Sequence, residues 1–199
     1  MTAARALCVA ALAAALAAPL PARAERDRAG ALEAAVAGGW GFTVQGAAGA
    51  SKERSSTNGG PAVAARLSVA SPYFVRPFFE AGWTPLYQSD EKVVLDGVKE
   101  GVKSSLAMWS FTLGPSIDAW RLRAGAGISL LRTQVTSTLR GVTITPTELG
   151  MGYAFYLSGF VYERSWFKAG LDARFVTSAE AGVSHLSIGV LLAGDALSW

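Results

Sequence analysis

From Trp40 to Trp199 the chain is written in short segments in which every second residue is apolar. The segment Phe167 to Phe175 shows it most plainly. Phe167, Ala169, Leu171, Ala173 and Phe175 occupy one side, and Lys168, Gly170, Asp172 and Arg174 the other. A strand sends successive side chains to opposite faces, so this segment has one oily face and one charged face. Eight such segments follow one another, in a chain that is 51% hydrophobic and carries 22 glycines. No apolar run after residue 24 is long enough to cross a bilayer as a helix. Strands with one lipid-compatible face, closed on themselves, are the other way to cross.

The first residues read as an export leader. Arg5 supplies the positive start, Ala6 to Leu20 the apolar stretch, and Ala22-Arg23-Ala24 a small-x-small cleavage site. Residues 1–24 are therefore expected to be a signal peptide, which takes the single cysteine, Cys8, with it. The remaining chain has no thiol chemistry and no disulfide. Loss of Arg5 and Arg23 leaves basic and acidic residues nearly balanced, which gives no basis for nucleic-acid binding. Residues 25–39 are expected to be a short periplasmic segment, a brief helix or an unstructured lead. Residues 40–199 are expected to form one barrel domain of eight antiparallel strands connected up and down.

The segments place Trp40, Phe42 and Val44 outward on the first strand, and Val63, Ala65, Leu67 and Val69 on the second. On the third, Val75, Pro77, Phe79, Ala81 and Trp83 face out, and a bulge at Pro77 is expected because proline cannot donate to the ladder. Thr84 to Lys103 is the longest connection, with a hairpin turning at Asp96-Gly97. Asp118 to Trp120 is expected to turn the chain. Gln134 to Pro146 reads as a second hairpin that rises past the membrane. Connections alternate long and short, the pattern of barrels whose long loops face outside and whose termini lie in the periplasm.

Together, the leader, the eight alternating strands, the loop asymmetry and the terminal aromatic Trp199 resemble the small eight-stranded outer-membrane proteins of the OmpA/OmpX type. The resemblance implies a Gram-negative cell outer membrane as the location. It also implies recognition of the chain's end by the barrel-assembly machinery, and contact with outer-membrane lipid and lipopolysaccharide. Counting back from Trp199 by twos is out of phase with Leu186, Ile188, Val190 and Leu192, so a bulge near Gly194 or an early strand end is expected.

Eight strands enclose room for side chains alone. The inward set contains Arg66, Arg76, Arg121, Arg123, Lys168 and Arg174 with Glu80, Asp118 and Asp172. Charges removed from water persist when paired, so an ion network should fill the lumen, with Arg123–Asp172 or Arg76–Glu80 as candidate pairs. Trp40, Trp120, Trp166 and Trp199 are expected in an aromatic girdle at the periplasmic ends of the strands, and Trp83 at the outer ends. No metal-ligand cluster or cofactor motif is present.

These features favour a non-enzymatic scaffold and not an open pore. Its outer hairpins could meet a host or cell-surface partner by strand addition. The alternative is enzymatic. His185-x-Ser187 resembles the pair of the outer-membrane lipid A deacylases, which would make His185 a general base and Ser187 a nucleophile. The alternation turns that pair inward, and the acid that should complete it has no counterpart but Asp195.

Overall fold

The computed structural model describes residues 30–45, 56–57, 59–70, 75–95, 98–139, 142–164, 166–178 and 183–198. The expected leader, the expected turns at Ser71-Pro72, Asp96-Gly97 and Arg140-Gly141, and Trp199 lie outside these residues. All regular structure described is strand: β1 (Ala31–Gln45), β2 (Ser56–Thr57), β3 (Gly59–Val69), β4 (Val75–Leu95), β5 (Val98–Ala119), β6 (Leu122–Leu139), β7 (Val142–Ile144), β8 (Thr147–Arg164), β9 (Phe167–Ser178) and β10 (Ser184–Ser198). Eight of them, β1, β3, β4, β5, β6, β8, β9 and β10, pair antiparallel in chain order, and β1 pairs with β10 to close the cylinder. The fold is an up-and-down barrel. The short β2 and β7 flank the part of β4 and β6 that rises beyond it.

Burial is inverted relative to a soluble sheet. Along β3 every residue from Pro61 to Val69 alternates, with Val63, Leu67 and Val69 exposed and Ala62, Ala64, Arg66 and Ser68 buried. On β9 Leu171 is 59% exposed while Lys168, Asp172 and Arg174 are each 5% or less. Apolar side chains coat the outside and charges occupy the inside, as the alternation dictates.

Four features depart from the sequence expectation. The barrel does not begin at Trp40. β1 starts at Ala31, so residues 31–39, expected to precede the barrel, form most of its first strand. Alternation is muted there because Ala31, Ala34, Ala35, Ala37, Gly38 and Gly39 are small on both faces. Much of the supposed long connection from Thr84 is also strand, since β4 and β5 pair continuously to Leu95–Val98.

No bulge occurs at Pro77. It stands opposite Pro115 in an unbroken register. Each proline falls where its other ladder stops: β3–β4 pairing ends at Ser68–Phe78, and β5–β6 pairing is interrupted between Leu113–Ile128 and Ser116–Gly125. The missing N–H groups therefore cost nothing that the sheet would otherwise make. The bulge of β4 lies at Leu86 instead, between Pro85 and Tyr87. Finally, Asp118 is not in a turn but inside β5, which ends at Ala119.

Near the chain's end, Leu32 pairs with Leu197 and Glu33 with Asp195, leaving Ala196 as an extra residue. This bulge resets the phase, so Leu197 faces outward although Leu191 and Ala193 face inward. It lies close to the expected position at Gly194.

Candidate functional site

The lumen is filled in three layers, built from the inward residues of all eight strands. The layer nearest the chain termini centres on Arg123. Its Nε donates to Asp118 Oδ1 at 2.5 Å, its Nη2 donates to Glu33 Oε2 at 3.2 Å, and its Nη1 donates to Glu33 Oε1. Two carboxylates thus hold one guanidinium by bidentate contacts. Arg76 Nε meets Asp118 at 2.7 Å, and Lys168 Nζ bridges Glu33 at 3.6 Å and Glu163 at 3.2 Å. The Phe160 ring lies under both cations, 5.4 Å from Arg123 and 5.3 Å from Lys168.

The middle layer contains Arg66, Glu80, Asp172 and Arg174. Glu80 lies between two guanidiniums, 2.6 Å from Arg66 Nη2 and 2.7 Å from Arg174 Nε. Arg66 Nη1 also reaches Asp172 at 3.3 Å, and the Ser158 hydroxyl donates to the same carboxylate at 2.5 Å. The Arg66 guanidinium stacks 3.4 Å over the Tyr156 ring, whose edge meets Phe78. Arg174 donates to the Ser110 hydroxyl as well. Glycine opens the space these groups need. A Cβ at Gly82 would collide with the Arg174 guanidinium, and one at Gly125 with the Tyr156 ring.

The layer farthest from the termini is apolar. Leu86, Met108, Leu131, Ala154 and Val176 pack together, with Leu106 and Val183 against them. The Leu86 bulge turns that side chain into the lumen, where it is 2% exposed. His185 lies beside this layer with its Nε2 at 3.3 Å from Thr84 Oγ1, and Thr43 donates to the Leu86 carbonyl at 2.6 Å.

The network therefore takes in Arg66, Arg76, Glu80, Arg123, Lys168, Asp172 and Arg174, but not Arg121. That residue is exposed in the turn after β5, its guanidinium 5.6 Å from the Trp120 ring. The alternation was extended one residue past the end of its strand. Neither suggested pair forms. Asp172 binds Arg66, and Arg76 binds Asp118 and Glu33. Arg76 and Glu80 share a face of one strand, about 13 Å apart at four residues' spacing, so each turns to a neighbouring strand. Glu33 was missed because it lies in the segment read as a lead; its pairing to Arg123 is what reveals it.

His185 and Ser187 both point inward from β10. His185 bonds to Thr84 rather than to Ser187. Asp195 is eight residues beyond Ser187 on the same strand, on the order of 25 Å away. Among the described residues, His185, Ser187 and Asp195 assemble no acid–base–nucleophile arrangement, and the buried histidine points away from the barrel's outer surface. Among the described residues no group of His, Cys, Asp or Glu is placed to hold a metal ion.

No protein-family model and no curated protein matches the sequence. Solved structures do. Ail, the attachment invasion locus protein of Yersinia pestis, superposes with a TM-score of 0.54 over 83% of this chain and 97% of that one, at 10% identity. Ail in complex with the heparin analogue sucrose octasulfate gives 0.55 over 83% and 98%, also at 10% identity. Neisserial surface protein A matches at 0.47 and 10% identity, over 82% of this chain and 96% of that one. This chain has the fold of the small eight-stranded outer-membrane barrels.

The outer surface of the barrel is banded. At the end near the termini Trp120, Tyr162 and Trp166 are exposed. At the other end Trp83 pairs with Trp109, and Trp40 pairs with Pro61 and Ile188. Trp40 thus belongs to the far band, not to the termini end where the sequence reading put it. Because β1 starts nine residues earlier than expected, Trp40 lies well along its strand. Trp109, absent from that reading, joins the same band.

Proposed function

We propose that this chain is an integral outer-membrane protein, exported by its leader and inserted by the barrel-assembly machinery. In this reading its sealed barrel is a scaffold for the hairpins at the outer end. The observation that carries it is the inverted burial: charged groups sequestered inside, and Leu, Val, Ile, Phe and Trp exposed around the outside. A soluble protein does not expose such a continuous apolar belt, whereas a bilayer requires one. Lipopolysaccharide and phospholipid are then the surroundings of that belt, and the Trp bands mark its edges. Heat-modifiable migration of the detergent-extracted protein tests the membrane reading. A form that runs alike boiled and unboiled, and that stays in solution without detergent, would contradict it.

The hairpins are the contact surface. Beyond the Trp83–Trp109 pair, β4, β5, β6 and β7 continue as a small sheet. β7 pairs only with β6 among the described residues, and its Val142 and Ile144 are each 64% exposed. An open edge with apolar side chains is suited to strand addition by a partner on a host or neighbouring cell. The fold likeness to Ail, an attachment invasion locus protein, supports this reading. Deleting residues 92–99 and 134–145 together should leave the barrel folded and abolish binding to host cells; unchanged binding would refute the adhesion reading.

A closed lumen is part of the proposal. The two ion layers and the Leu86–Met108–Leu131 layer, which place paired charges and packed apolar side chains across the lumen, support this reading. Purified protein in planar bilayers should be silent.

A further inference from the structure

The lumen holds one histidine that neither ion layer uses. His185 is the only histidine of the chain, and it is buried. Its ring fills the space that a Cβ at Gly41 would need, and its Nε2 lies 3.3 Å from Thr84 Oγ1. Across the ladders it faces Thr43 on β1 and Val176 on β9. Both neighbours lead into the apolar plug beyond the ions. Val176 is part of that plug, and Thr43 donates to the carbonyl of Leu86, which is another part. His185 is thus the polar group on which the plug closes.

Arg174 stands one row nearer the termini. Its guanidinium lies over Gly82, and the His185 ring lies beside Thr84. Gly82 and Thr84 are successive inward positions of β4, about 7 Å apart along the strand. No carboxylate is left for the ring. Both oxygens of Glu80 are taken, by Arg66 from β3 and by Arg174. Asp172 on β9 is held by Arg66 and by the Ser158 hydroxyl. Among the described residues at this height, β1, β5, β6 and β10 present no other ionisable side chain. β8 offers the Tyr156 phenol and β4 that of Tyr87, and phenols stay neutral in acid. An imidazolium here is a second cation beside Arg174, in a space where salt screens little.

We propose that His185 is an acid-operated latch on the plug at the hairpin end of the lumen. Neutral, the ring bonds to Thr84 and the plug packs over it. Protonated with a proton from solvent, it is repelled by Arg174 and requires water. The ion layers close the way toward the termini, so the ring moves the other way, between Val176 and Leu86. The plug then parts and water enters from the hairpin end. The ion layers beneath stay in place, so opening the latch wets the upper lumen without making a channel.

This inference rests on the sealed-lumen reading above. Conductance at neutral pH would sink that reading, whereas the titration below tests the latch alone. Beyond Met1 the chain has two methionines, Met108 in the plug and Met151 exposed on the outer face. The full mature protein, without added histidines, is refolded in detergent with ¹³C in the methionine methyls and ¹⁵N in the histidine. It is titrated by NMR from neutral to about pH 4, a range that brackets ordinary imidazole titration. The Met108 methyl should shift with the same midpoint as the His185 ring. In acid a water-soluble gadolinium chelate should broaden it several-fold more than at neutral pH, while Met151 follows neither change. His185→Gln can still bond to Thr84 but cannot take the charge. Once shown to be folded by heat-modifiable migration, it should keep Met108 unshifted over the same range. If that variant does not fold, the two midpoints in the unaltered protein decide alone. Separate midpoints, or a ring that stays neutral to about pH 4, would overturn the latch. So would a Met108 response that survives His185→Gln, which would assign the acid response to the carboxylates of the ion layers.

Discussion

At the scale of single residues, the consequential fact is that the interior is ionic and its carboxylates are shared between donors. Arg123 is 1% exposed and shared between Glu33 and Asp118. Removing one partner of such a buried cluster leaves an uncompensated charge, which typically costs about 3–5 kcal/mol. Glu33→Ala should therefore lower the stability of the folded barrel by about that amount, read as the urea midpoint of heat-modifiable migration. Arg121→Ala, in the exposed turn, should change it by less than about 1 kcal/mol. An equal effect of the two would remove the distinction between lumen and rim. Gly82→Ala should disturb the lumen from the opposite side, because the added methyl occupies the space of the Arg174 guanidinium and strains its contact with Glu80. The inward direction of Arg66, Glu80 and Asp172 was legible from alternation alone. Their partners were not, because pairing depends on cross-strand register, which period-two spacing leaves open. Arg66 faces Glu80 directly across β3–β4, yet it also spans the lumen to Asp172 on β9.

At the scale of strands, faces were easier to read than ends. The outward sets of β3, β4, β5, β8 and β9 follow the sequence, since large apolar residues alternate there with glycine, serine and charge. β1 was cut short where alanine and glycine fill both faces and no contrast exists to read. The hairpin of β4 and β5 was seen as a turn signal inside a loop, but the polar stretch from Gln88 to Lys92 hid the fact that the strands continue. Lipid cannot be the solvent there, so alternation of apolar residues stops while the ladder does not. The same argument sets the cost of a charge within the belt. Leu171→Arg, on the outward face of β9, should destabilise the barrel by about 2–4 kcal/mol if that position lies near the bilayer midplane. Refolding into vesicles over a urea series measures it. A neutral result would place Leu171 outside the hydrocarbon.

At the scale of the whole molecule, an outward apolar belt, an ionic lumen and an apolar layer far from the termini belong to one barrel, with the hairpins at its far end. Replacing Leu86, Met108 and Leu131 together by serine should admit water to the upper lumen, yet leave both ion layers in place below. Single-channel recording of that variant should remain silent; conductance would show that the plug, rather than the ion layers, seals the barrel. The likeness to Ail extends over most of both chains at 10% identity, so what the two share is this architecture.

The most direct measurement exploits the absence of cysteine after Cys8. Single cysteines placed one by one from Phe167 to Phe175 can carry spin labels in the protein reconstituted into vesicles. Labels at Ala169, Leu171 and Ala173 should collide readily with oxygen, which concentrates in hydrocarbon, and labels at Lys168, Gly170 and Asp172 should be shielded from both oxygen and a water-soluble nickel chelate. A period of two in oxygen accessibility is the expected result. Uniform accessibility along β9, or collision of the 169, 171 and 173 labels with the nickel chelate, would contradict it.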